Sequence, residues 1–211
     1  NLDGEGAAEF LRGLVAGGLP KVGRMNLVYI SDDRGRILTE MSCIRHGEDH
    51  FTMITAGSAQ WHDFEILRNA LPDGLSLSDH TTEFGTMIVT GPKARELFAG
   101  MSDADLSLGW LTHQHATVAG KPAFLARVSF AGELGWEVHC ANEDQPAIYE
   151  AILDAGAKPF GMYALNSLRI EKGYRTWKGD LTSDYSLLEG GLGRFVKLYK
   201  PQDFPGKAAI Q

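Results

Sequence analysis

Three short segments carry the residues whose types and spacing suit chemistry. The first is Arg36-Ile37-Leu38-Thr39-Glu40-Met41-Ser42-Cys43-Ile44. Side chains alternate faces along a strand, so Ile37, Thr39, Met41 and Cys43 share one face and Glu40 and Ser42 the other. A carboxylate and a hydroxyl then project together, about 6.6 Å apart at ~3.3 Å per residue. Such a pair can line a pocket; the same pattern also suits a solvated outer face. The second segment, Phe130-Ala131-Gly132-Glu133-Leu134-Gly135-Trp136-Glu137-Val138-His139, sets two glycines around a tight turn. Past the turn, Trp136 and Val138 share one face, Glu137 and His139 the other. The third runs from Tyr163 to Gly173 at helical spacing, with Leu165 and Leu168 toward a core and Asn166 and Arg169 three apart on a neighbouring stripe. Arg169 can clamp a carboxylate with two parallel N–H bonds or pair with an internal acid.

The elements that must hold these segments follow from periodicity and turn residues. Phe10, Leu11, Leu14 and Val15 fall at helical spacing before Gly17-Gly18. Strand-like runs at 25–30, 36–45 and 50–55 are joined by Asp32-Asp33-Arg34-Gly35 and Gly47-Glu48-Asp49, which predicts an antiparallel meander. A helix follows over 60–71, with Trp61, Phe64, Ile66 and Leu67 on its apolar side. Next come strands at 75–80 and 86–90 and a short helix at 93–98. Strands at 122–130 and 136–140 flank the glycine turn, and helices are expected at 146–155 and 162–172. Two halves of meander plus helix, roughly 24–100 and 120–175, predict an α+β fold with antiparallel sheets rather than βαβ alternation.

Composition narrows the function classes. The 211 residues carry a formal charge of −7, with 44% hydrophobic and 22% charged residues, as in ordinary soluble globular chains. That charge disfavours nucleic acid and anionic membrane surfaces as partners. No apolar run approaches the ~18 residues of a membrane span. Cys43 and Cys140 are the two cysteines, far apart and in no metal-ligand spacing, which predicts a reducing compartment and no metal site. His113-Gln114-His115 reads as a surface strand and Gly190-Gly191-Leu192-Gly193 as a turn. No phosphate-cradling loop or nucleophile elbow is present.

Taken in order, four motifs resemble the folate-binding aminomethyltransferase family, which includes the glycine-cleavage T-protein and the C-terminal portions of dimethylglycine and sarcosine dehydrogenases. They are Gly35 to Ser42, Phe130 to Glu137, Tyr163 to Arg175, and Leu188 to Lys197 followed by Asp203 to Lys207. They cover nearly the whole chain, and the flavoprotein branch is the nearer match. The resemblance implies that tetrahydrofolate is bound in a central hole of a T-protein-like domain. There it accepts a one-carbon unit derived from a small N-methyl amine and becomes methylenetetrahydrofolate. It implies that Glu137 grips the pterin, whose amino-pyrimidinone edge offers parallel N–H donors. Phe130, where the family often has Tyr, packs near the pterin. Glu40, usually Asp, lies near the attacking folate nitrogens as the catalytic residue, with Ser42 where Thr is common. Main-chain groups of Ile54 and Thr55 complete the pocket, and Tyr163 and Arg169 fall in the helix motif as further cofactor contacts.

The resemblance also implies two subdomains, 1–100 and 101–198, with 199–211 beginning a linker to a C-terminal β-barrel that this chain does not contain. Since no G-x-G-x-x-G fingerprint follows a strand here, FAD is expected only in an N-terminal flavin domain of the same protein, outside this chain. The missing initiator Met fits a cut through a larger flavoenzyme. The expected setting is cytoplasmic, or the mitochondrial matrix in a eukaryote. A flavin-free T-protein-like aminomethyltransferase or folate-dependent demethylase, and a non-catalytic folate-binding module, are the alternatives.

Overall fold

Alternation along 24–54 closes into a meander because each turn has its own lock. In the computed structural model, which describes residues 1–211, the Asp32 carboxylate accepts the backbone N–H groups of Arg34 (3.0 Å) and Arg36 (2.8 Å), and Gly35 takes φ 75°. The strands so joined belong to a five-stranded antiparallel sheet. It comprises β1 (Leu2–Asp3), β2 (Arg24–Ser31), β3 (Ile37–Gly47), β4 (His50–Ile54) and β5 (Ser76–Leu77), in the order β2-β3-β4-β1-β5. Two-residue β1 is too short to show a period, and the sequence reading has no strand there. Helices α1 (Ala7–Leu14) and α2 (Gln60–Ala70) cover one face, with Leu2, Leu11, Val28, Met41, Cys43, Phe51 and Leu67 packed in the core. Helix α2 buries Leu67 and packs Ile66 as its spacing predicts, and departs from the expected face only at its first turn. Trp61 is 71% exposed while Asp63 is 1% exposed, because Asp63 accepts hydrogen bonds from the Thr55 hydroxyl and lies 2.7 Å from His62 Nδ1. A buried carboxylate demands such partners.

The other face of this sheet is covered by the tail. Tyr29 and Ile37 pack with Leu181, Leu187, Leu192, Val196, Phe204 and Ile210, the last in α6 (Lys207–Ile210). Ile37 therefore joins this second cluster rather than Met41 and Cys43; the pairing register shifts between Ile30 and Ser31. The chain accordingly divides into one unit of residues 1–79 with 175–211 and another of residues 80–174, whereas the sequence reading cut it at 100 and 198. Tail residues return to the first unit through contacts more than 130 positions distant in sequence, which local pattern does not register.

Lys200 ties this tail down. Its Nζ donates to Arg12 O (2.6 Å), Val15 O and Gly17 O (3.4 Å), the free carbonyls at and beyond the end of α1. Burial, with Lys207 adding like-charge repulsion, lowers the Lys200 ammonium to about 8. The unfolded chain keeps that proton up to its ordinary value of 10.5. Between these values the unfolded state binds more protons, so this group's contribution to stability rises with pH. Lys200→Met is expected to remove that rise: urea unfolding from about pH 7.5 to about pH 10 should show the parent gaining on the variant.

The second unit is a four-stranded antiparallel sheet of β6 (Phe84–Thr90), β7 (His113–Val118), β8 (Lys121–Ala126) and β9 (Gly135–Ala141), ordered β6-β9-β8-β7. Trp136, Val138, Cys140 and Leu125 point from one face into a core completed by Phe98 of α3 (Ala94–Ala99) and by Ile148 and Ile152 of α4 (Gln145–Asp154). Strand β8 stops at Ala126, short of the expected Phe130; Arg127 N–H turns to Thr112 O and Val128 N–H to Ala126 O. The remaining helix is α5 (Met162–Glu171). No helix is long and apolar enough to cross a membrane, and no cluster of three His, Cys, Asp or Glu side chains could hold a metal.

Candidate functional site

In the first unit the sequence-predicted acid sits on β3 facing the tail side of the sheet. Register places Glu40 opposite Tyr29, and Ser42 opposite both Leu27 of β2 and Ile54 of β4. Glu40, Ser42 and Ile54 are thus brought together on one face. That face is not a solvated one: Glu40 and Ser42 are each partly buried. The Tyr29 hydroxyl donates a hydrogen bond to Glu40 Oε2. Burial raises the Glu40 carboxyl above its ordinary value, and the Tyr29 bond works against that rise. Burial and the neighbouring carboxylate together push the Tyr29 phenol well above its usual range, so it remains a donor. The Thr55 hydroxyl is committed to Asp63, which leaves its main chain as the part that a ligand could meet. Behind this face Cys43 is buried and pushed up to about 12, so it is an inert thiol.

In the second unit the predicted turn is rigid for two reasons. Gly132 has φ 78°, a backbone that L side chains rarely adopt. A Cβ on Gly135 would stand 2.7 Å from Val89 O, so no side chain fits between β9 and β6. The turn is pinned to β6 by Gly91 N–H to Leu134 O at 2.7 Å and by Thr90 Oγ1, 3.1 Å from Ser129 Oγ. Glu137 emerges two residues past Gly135, opposite Ile88 and Ala126, with its side chain 19% exposed. His139 shares its face. The ring's Nδ1 lies 2.8 Å from Thr86 Oγ1, and its Nε2 lies 3.3 Å from Glu137 Oε2 but off the line of a hydrogen bond. Phe124, next along the same rung, packs its ring 5.6 Å from His139 and 5.2–5.3 Å from His113 and His115.

Phe130, at the turn's start, stacks on Tyr174 with centroids 6.4 Å apart and an 18° interplanar angle. Tyr174 is held in turn by Arg169, whose Nη1 donates to Tyr174 O at 2.9 Å while Nε and Nη2 both donate to Asn166 Oδ1 (2.9 and 2.6 Å). Arg169 is 7% exposed, on the inward stripe of α5 with Leu165, and the bonds above go to neutral oxygens of its own segment rather than to an internal acid. Tyr163 stands apart, 95% exposed on the outer side of α5. Tyr29 and Tyr174 are the contributors that sequence reasoning missed. The hairpin turn at 32–35 was the available signal for Tyr29, but the register shift beside Ser31 hides which residue faces Glu40.

This geometry can be set beside known proteins. The family model described as the GCVT N-terminal domain matches residues 1–200. Dimethylglycine dehydrogenase of Rattus norvegicus is 35% identical over 221 aligned residues, covering 100% of this chain and 26% of its own length. Aminomethyltransferase of Thermus thermophilus is 34% identical over 212 residues, covering 98% of the chain and 60% of its own. The chain thus spans about a quarter of the dehydrogenase it matches. The glycine cleavage system aminomethyltransferase T of Bartonella henselae superposes with a TM-score of 0.86 over 99% of this chain and 58% of its own, at 23% identity, and so shares the fold. The α+β reading with antiparallel sheets stands, and the chain belongs to the GCVT N-terminal domain family, whose relatives here are aminomethyltransferases and dimethylglycine dehydrogenases.

Proposed function

We propose that this chain is the tetrahydrofolate-binding, carbon-transferring domain of an FAD-dependent N-methyl amine dehydrogenase acting on a dimethylglycine- or sarcosine-like substrate. The observation that carries the reading is the Glu137 carboxylate, set past a glycine-locked turn with Phe130 stacked at the turn's start. The donor chemistry fits: a carboxylate can accept the two parallel N–H groups of a pterin edge, and an aromatic ring can pack on its face. When bound, tetrahydrofolate supplies nucleophilic nitrogens that take the one-carbon unit to give methylenetetrahydrofolate, releasing the amine without net oxidation or reduction. Glu40 is the acid that orients the amine and carries a proton, and its raised protonation range suits a group that must both hold and release one. Ser42 and the Ile54–Thr55 main chain line the pocket. Arg169 serves through Tyr174 and Phe130. Tyr163, 95% exposed on α5, offers its ring to the ligand as a further cofactor contact.

The oxidation that makes the iminium belongs to a flavin domain of the same protein outside this chain, in the mitochondrial matrix of a eukaryote or the cytoplasm of a bacterium. A flavin-free aminomethyltransferase is the second reading, favoured by the aminomethyltransferase relatives. It is separated from the first by testing whether the whole protein reduces bound flavin with an N-methyl amine. Calorimetry with tetrahydrofolate tests the shared part. Saturable binding at one site is expected, and no binding at millimolar ligand by a folded sample removes the folate reading.

A further inference from the structure

Glu40 is held from across the hairpin. Tyr29 and Glu40 are directly opposed in the β2–β3 register, and the phenol donates to Oε2. The donor itself cannot swing away. Tyr29 is 2% exposed, its ring lies 5.2 Å from that of Phe195, and Ile37, Leu192 and Val196 close the cluster around it. Charged groups that face this pair from the tail are Arg175 and Arg194, both of which act on the Tyr29 phenol against the effect of burial. A glutamate has three side-chain torsions to fix before its carboxyl has a direction, and errors near ~1 Å in a reacting group cost about 100-fold in rate. An anchor on one oxygen removes most of that freedom.

We propose that Tyr29 is the positioning residue of the carbon-transfer site, its hydroxyl fixing Oε2 of Glu40 so that Oε1 is the oxygen that serves the folate nitrogens. The proposal rests on the reading of Glu40 as the acid of the transfer. Tyr29→Phe keeps the ring and its packing and removes only the donor. In the full-length protein, methylenetetrahydrofolate formation should slow about 10- to 100-fold at saturating tetrahydrofolate, with KM for tetrahydrofolate within about twofold. The inflection of the pH–rate profile that Glu40→Gln abolishes should move to higher pH by about one unit, because a hydrogen bond to the ionised form that had lowered that value is gone. Adding Tyr29→Phe to Glu40→Gln should cost nothing further.

An unchanged rate and inflection in Tyr29→Phe, while Glu40→Gln is crippled, overturns the positioning role and leaves the reading of Glu40 intact. A loss that recurs in full on the Glu40→Gln background overturns it as well, since Tyr29 then acts on the fold. A parental rate in Glu40→Gln removes the acid and with it both claims.

Discussion

Glu137→Gln is expected to weaken tetrahydrofolate binding about 30- to 100-fold, measured by calorimetry, with unfolding temperature unchanged. A carboxylate accepts both N–H donors of a pterin edge, and the pair is charge-assisted. The amide accepts one and turns its own NH₂ toward the other, leaving two donors face to face. The difference is about 2–3 kcal/mol, at 1.4 kcal/mol per tenfold. Stability should hold because Glu137 carries little of the fold. Its side chain is partly exposed, its Oε2 lies 3.3 Å from His139 Nε2 without a hydrogen bond, and the core residues Trp136 and Val138 point to the opposite face. Parental affinity in Glu137→Gln removes this residue from the pterin contact. A loss of binding accompanied by a lower unfolding temperature assigns the effect to the sheet rather than to the ligand.

What pattern reveals and what it conceals divide along a physical line. Alternation places Glu40 with Ser42, and Glu137 with His139, because a strand's period is built into its backbone. Turn chemistry locates both hairpin locks, Gly35 and Gly132, because positive φ is a local demand. Packing partners from elsewhere in the chain are not local. Whether Glu40 faced water or packed side chains depended on Tyr29 across a shifted hairpin and on Phe195 in a tail more than 150 residues later. Arg169 shows the same limit. Its spacing to Asn166 allowed either a ligand clamp or a pair with an internal acid, whereas the Tyr174 carbonyl that it binds lies beyond the helix end. The first turn of helix α2 departs for a related reason: the apolar count favours Trp61 as inward, while Asp63, bonded to the Thr55 hydroxyl and beside His62, takes the buried place.

Glu40→Gln is expected to slow carbon transfer in the full-length protein by about 10²- to 10⁴-fold, the usual range for losing a positioned acid–base group. Affinity for tetrahydrofolate should stay within about threefold, because the proposed pterin anchor is Glu137. Gln keeps the shape and can still accept from Tyr29, so the loss reports the missing proton carrier rather than a collapsed site. Glu40→Asp sharpens the point. The family's usual aspartate is one methylene shorter, and here the shorter arm would draw the carboxyl away from a Tyr29 hydroxyl that is itself locked by Phe195 and the surrounding cluster. An intermediate rate, nearer to Gln than to the parent, is therefore expected of Asp at this position. Full activity in Glu40→Asp would instead mean that the carboxyl needs no anchor from β2. Glutamate is then a neutral variant of the family's aspartate, and the buried Tyr29–Glu40 pair contributes only to folding.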